Sequence, residues 1–154
     1  MQTEFMQEAI RLASENIDNQ GGPFGAVVVR DGQIVGCGVN RVTAQNDPTA
    51  HAEVMAIRDA AHTLGTFDLT GCEIYTSCEP CPMCLGAIYW ARLKKIYYGN
   101  TQSDADAIGF GDQFIYTQLA LPIGRRIIAE EQCLHSQAIK TFDKWRDKTD
   151  KTPY

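Results

Sequence analysis

The chain has 154 residues, 44% of them hydrophobic and 21% charged, which suits one domain with a substantial core. Fourteen Lys and Arg stand against 19 Asp and Glu, a formal net charge of −5 with no long basic run. That balance argues against a protein that grips a nucleic-acid backbone and fits a small neutral substrate. No apolar run approaches the ~20 residues needed to span a bilayer, so no membrane partner is expected.

The N-terminal MQTEFMQEAIRLASENI is an amphipathic helix pattern, with Phe5, Ala9, Leu12, Ala13 and Ile17 on one face of a helix over residues 3–17. It lacks the basic start and apolar centre of a secretory signal, and the expected location is cytoplasmic. In that reducing setting the six cysteines read as metal ligands or buried thiols, because structural disulfides are rare there.

FGAVVV and QIVGCGV read as strands, joined by Asp31-Gly32, a strong tight-turn signal. Asn46-Asp47-Pro48 opens the next predicted helix, with Asp47 as N-cap and Pro48 at the first position, and Gly65 ends it. CEIYTS is a third strand, Pro82 starts the helix MCLGAIYWARL, and KKIYYGN is a fourth strand. QFIYTQLAL is helical, RRIIAEEQ a fifth strand, and SQAIKTFDKWRDK a final helix. Strands alternating with helices predict a single α/β domain over 1–154, three layers deep, with helices on both faces of a central five-stranded sheet.

Two segments carry chemistry: His51-Ala52-Glu53 and Pro80-Cys81-Pro82-Met83-Cys84. Each falls near a predicted helix start, where partial positive charge and free N–H groups favour a cysteine thiolate, the form that zinc binds. Cys81 and Cys84, three residues apart, can reach one ion. Cys78 sits at a strand end and reads as a small buried hydrophobe. His51 is the best third ligand. His and Glu two residues apart lie roughly 200° apart around a helix, so they reach an ion near its tip from different directions. Three protein ligands with water or hydroxide as the fourth mark a catalytic zinc, and Glu53 would stand beside that fourth position as proton carrier. The competing reading is a closed structural zinc that adds Cys78, which leaves Glu53 without a purpose.

His-x-Glu followed by Pro-Cys-x-x-Cys resembles the zinc-dependent cytidine deaminase superfamily. Within it GGPFGAV, NDPTAHAEV, YTSCEPCPMCLGAIYWAR, GFGDQFIY and the terminal Tyr are similar to bacterial guanine deaminases. The resemblance implies a cytidine deaminase-like mixed sheet, one Zn2+ per subunit on His51, Cys81 and Cys84, and hydrolysis of guanine to xanthine and ammonia in purine metabolism. It implies Glu53 as proton shuttle and Asp112 as acceptor or second proton carrier at the reacting amino group. It further implies Phe24 stacking on the purine, Asn40 bonding the ring edge, Trp90 lining the pocket and Tyr154 closing it. The partner would be a small nucleobase and a second copy of the chain. Residues ~126–154 would be exchanged between subunits through a hinge at LPIGR. Guanosine, tRNA adenosine and cytosine remain as alternative substrates, and a zinc-stabilised interaction domain as the non-enzymatic alternative.

Overall fold

In the computed structural model, which describes residues 3–154, the chain divides into two compact units, one ending at Ile115 and one running from Tyr116 to Tyr154. The first unit starts with α1 (Thr3–Asp18), whose buried Phe5, Ala9 and Ala13 form the expected face. On its exposed side Arg11 pairs with Glu8 at 2.6 Å, one turn away, a solvent-screened contact that adds little to stability.

β1 (Gly25–Arg30) and β2 (Gln33–Val39) form the predicted hairpin. Asp31 and Gly32 both take positive φ, 50° and 76°, the requirement of the two-residue turn that matches strand twist. A short α2 (Val42–Gln45) follows, which the sequence pattern does not announce. Then come α3 (Ala52–Leu64), β3 (Glu73–Cys78), α4 (Pro82–Trp90), β4 (Lys95–Asn100), and α5 (Gln102–Ala107), capped reciprocally by Thr101 and Asp104. Among the described residues no helix is long and apolar enough to cross a membrane.

The sheet order is β2-β1-β3-β4, with β3–β4 parallel and the other pairs antiparallel. Its two faces bury different partners, as the alternation of strand side chains demands. Ala26, Val28 and Ile74 point to one side and pack with Ala52, Ala56 and Ala60 of α3 and Ile88 of α4. Val27, Val29 and Tyr75 point to the other, against Phe5 of α1. There Tyr75 stacks on Tyr97 at 4.4 Å between centroids and meets Phe5 edge-on at 5.4 Å. Each such aromatic pair adds about 0.5–1.5 kcal/mol beyond its area burial. The three-layer α/β arrangement is the expected one.

Two expectations are corrected. The sheet has four strands, not five: RRIIAEEQ forms no strand. Adjacent isoleucines supply β propensity, but a strand exists only where a ladder accepts it. Here the Ile127 N–H donates to Gln118 Oε1 at 2.8 Å, and Arg126 binds the Leu121 carbonyl and Glu130. The long helix also begins later than Asp47. The Asp47 carboxylate accepts from the backbone N–H and hydroxyl of Thr49, which closes a local turn and leaves His51 as the N-cap of α3.

The second unit holds the last turns of α6 (Gln113–Ala120), a turn at Pro122–Arg125, and α7 (His135–Asp147), both helices as expected.

α3 lies close on β2. A Cβ on Gly38 would fall on the carbonyl of Ala52 and the backbone amide of Ala56, well inside van der Waals contact. Gly38→Ala is therefore expected to destabilise the protein by about 1–3 kcal/mol, read as a lowered Tm in thermal unfolding. An unchanged Tm would show that α3 can lift from the sheet at no cost.

Candidate active site

His51, Cys81 and Cys84 offer ligand atoms that all lie within 4.8 Å of one another. His51 is the N-cap of α3 and Cys81 the N-cap of α4, both in extended conformation, so two helix N-termini converge. Pro82 takes the first position of α4, where its missing N–H costs nothing, and places Cys84 one turn in. His51 Nδ1 stands 3.5 Å from each sulfur.

Electrostatics and donor chemistry both fit a cation. The Cys84 thiol and the His51 imidazole pull Cys81 well below the ordinary thiol range, while the Cys81 sulfur pushes Cys84 up and holds His51 above its ordinary value. The three groups compete for protons, and a divalent ion ends the competition by binding all of them deprotonated. Zinc bonds of ~2.3 Å to sulfur and ~2.0 Å to nitrogen at a tetrahedral angle separate S and N by about 3.5 Å, so the donors are already at zinc spacing.

Cys78 stays outside this group. It is buried, its Sγ contacts the Thr101 carbonyl at 3.6 Å, and burial keeps its thiol up at about 11. Glu53 is 6% exposed, at the second position of α3. Burial raises its carboxyl above the ordinary range, and it contacts the Cys84 thiol. Asp112, just before α6, is likewise raised by burial and feels the charge of Cys81 and, in turn, acts on His51. Its Oδ1 is buried with no hydrogen-bond partner among the described residues.

Phe24 precedes β1 and Asn40 follows β2, where the neighbouring Arg41 N–H donates to the carbonyl of Ala50, next to His51, at 2.8 Å. Phe24 meets Phe110 edge-on at 5.0 Å. Asn40 is buried, and its Oδ1 accepts from the Val42 N–H at 3.2 Å, which leaves the NH2 as the donor end of the amide. Trp90 ends α4, about 12 Å along the axis from Pro82, and is 72% exposed. Tyr154 lies in the second unit. Sequence reasoning singles out neither Phe110 nor Asn16. The aromatic in GFGDQ is the available signal for the first; a lone helical Asn gives none for the second.

Residues 1–100 match the family model of the cytidine and deoxycytidylate deaminase zinc-binding region. The chain belongs to this deaminase family. It is 49% identical over 151 residues to a guanine deaminase of Bacillus subtilis (strain 168), covering 97% of each chain. The X-ray structure of guanine deaminase from Bacillus subtilis superposes with a TM-score of 0.97 at 48% identity, covering 100% of this chain and 99% of that one. A tRNA-specific adenosine deaminase of Agrobacterium fabrum (strain C58) is 39% identical over 112 residues, 73% of this chain and 74% of that protein. Zinc is the family's metal, and His51, Cys81 and Cys84 are the residues that could hold it.

Metal analysis of purified variants tests the ligand set. Cys78→Ala is expected to keep one zinc per chain, and Cys81→Ala and Cys84→Ala to lose it. A folded Cys78→Ala protein without zinc would reverse the assignment.

Proposed function

We propose that the protein hydrolyses guanine to xanthine and ammonia, with Glu53 and Asp112 as the catalytic carboxylates and Phe24 and Asn40 binding the base. The observation that carries the substrate is the buried Asp112 Oδ1, without a hydrogen-bond partner among the described residues and close enough to Cys81 and His51 to act on their charge, in a chain matched almost end to end by guanine deaminase. Guanine presents N1–H and a 2-amino group side by side, and a carboxylate accepts from two such donors at once. Adenine and cytosine lack that adjacent pair.

Phe24 provides a stacking surface, its ring held edge-on by Phe110, and the Asn40 NH2 donates to an acceptor on the ring edge. Zinc, when bound to His51, Cys81 and Cys84, supplies the Lewis acidity that makes water nucleophilic near neutral pH. Glu53 takes a proton from the attacking water as its oxygen bonds to C2, and delivers that proton to N3. The remaining hydroxyl proton passes to the 2-amino group, the C2–N bond breaks, and ammonia leaves neutral. A carboxyl raised by burial is a stronger base than an ordinary carboxylate, which suits it to take the proton from water.

The assembly belongs to the same reading. Tyr89 and Trp90 are exposed on the first unit, and Ile127, Ile128, Phe142 and Trp145 on the second. Apolar surface of this kind supports a homodimer in which residues ~126–154 are exchanged and Trp90 and Tyr154 complete the base site. The six free cysteines support a reducing, cytoplasmic setting.

Ammonia release from guanine, guanosine, adenine, cytosine, cytidine and an adenosine-bearing tRNA anticodon stem tests the activity. Guanine is expected to react fast and the rest slowly or not at all; silence with guanine overturns the assignment. Glu53→Gln should keep zinc and lose about 10²–10⁴-fold in kcat. Asp112→Asn should lose roughly 10–100-fold in kcat/KM for guanine, the worth of one charge-assisted hydrogen bond. Light scattering should return twice the mass of one chain, and a monomer at assay concentration would remove the exchange.

A further inference from the structure

Asn16 sits in the last turns of α1, on the face of the sheet opposite α3, and is 3% exposed. A polar helical side chain this buried must find partners, since leaving them unmade costs about 1–3 kcal/mol. A side chain that only finished α1 would bond the carbonyls of its own last turn. The Asn16 amide does otherwise. Its Nδ2 donates to Gly22 O at 2.8 Å and to Asn40 O at 2.9 Å, the latter 24 residues away.

Those two carbonyls belong to the segments that carry the base-binding side chains. The Phe24 N–H donates to the same Gly22 O at 2.8 Å, and the Asn40 N–H donates to Phe24 O at 3.2 Å. Asn16, Gly22, Phe24 and Asn40 therefore close a ring of four hydrogen bonds, in which Asn16 is the one member contributed by a side chain. The Gly21 N–H also donates to Asn16 O at 2.8 Å, and a Cβ on Gly21 would overlap the Asn16 amide, so the loop is pressed against it.

We propose that Asn16 is a positioning residue that sets the affinity for the base by holding Phe24 and Asn40 at a fixed separation, without touching substrate or metal. Both protons of its NH2 are used, so no residue with fewer donors can close the ring. The inference rests on the assignment of Asn40 and Phe24 to the base. It adds that the pocket's spacing is set from the α1 side of the sheet, away from the zinc ligands.

The test is a set of variants in the zinc-loaded full chain, assayed with guanine: Asn16→Ala, Asn16→Ser, Asn40→Ala and the Asn16→Ala/Asn40→Ala pair. Asn16→Ala is expected to raise KM roughly tenfold with kcat changed far less, at unaltered zinc content. Asn16→Ser keeps one donor and should fall between, and it serves if the Ala variant does not fold. In the pair, the Asn16 effect on KM should shrink, because the Asn40 side chain that Asn16 positions is gone while the Asn40 carbonyl it bonds remains. Equal losses in kcat and KM effects that add independently would mark Asn16 as merely structural and overturn the proposal. An Asn40→Ala protein with unchanged KM would instead fail the base assignment and remove the inference with it. An altered Asn40→Ala beside an unaltered Asn16→Ala would fail the inference alone.

Discussion

Two helix N-termini pointed at one place are the constraint on which the rest of this molecule depends. α3 begins at His51 and α4 at Cys81, and each N-cap puts a ligand at its helix tip. A helix start is electropositive and rich in free N–H groups, so it favours sulfur as thiolate and carboxylate as anion. The same geometry orders Glu53 next to Cys84 without making it a ligand, because two residues along a helix is a rotation of roughly 200°. Bringing the two tips together requires that α3 lie close to the sheet. Gly36 and Gly38 permit that: both face α3, and neither has room for a Cβ.

How much of this is legible in the sequence depends on the range of the interaction. The hairpin turn is readable because the requirement for two positive φ values is local and Asp-Gly meets it. The ligand set is readable because a helix start fixes which neighbours can share an ion, and Cys78, on a strand end, is indeed outside the group. The start of α3 is not, because Asp47 serves a turn closed by Thr49, and an N-cap and an Asx turn use the same residue types. The fifth strand misleads because strand propensity says nothing about whether a neighbouring edge is offered. Asn16 carries no local signal and Phe110 only that of an aromatic in GFGDQ, and their meaning lies in partners far off along the chain, Asn40 and Phe24.

Burial is also divided unevenly along the chain, and this follows from where the sheet is. β1 is buried on both faces, so its residues read as a continuous apolar run, GAVVV. The segment from Tyr116 onward has no sheet of its own, and no residue of α6 or α7 is buried. Helices without a packed face draw their stability from tertiary partners, not from propensity. Those exposed faces are what the proposed second copy of the chain would cover.

The two faces of the sheet divide the labour of the site. One face carries α3 and α4, with the metal ligands and the buried Glu53. The other carries α1, whose buried Asn16 reaches around the strand ends to the carbonyls of Gly22 and Asn40. β1 and β3 join the two, since the Gly25 N–H donates to Ser77 Oγ at 3.1 Å where the strands end. On the proposed assignment of Glu53, Phe24 and Asn40, changes on the α3 side act on metal and proton transfer, and changes on the α1 side on the grip of the base. That separation lets substrate affinity vary in a chain whose hydrolytic centre stays fixed, and it requires nothing beyond alternating side-chain direction along two strands.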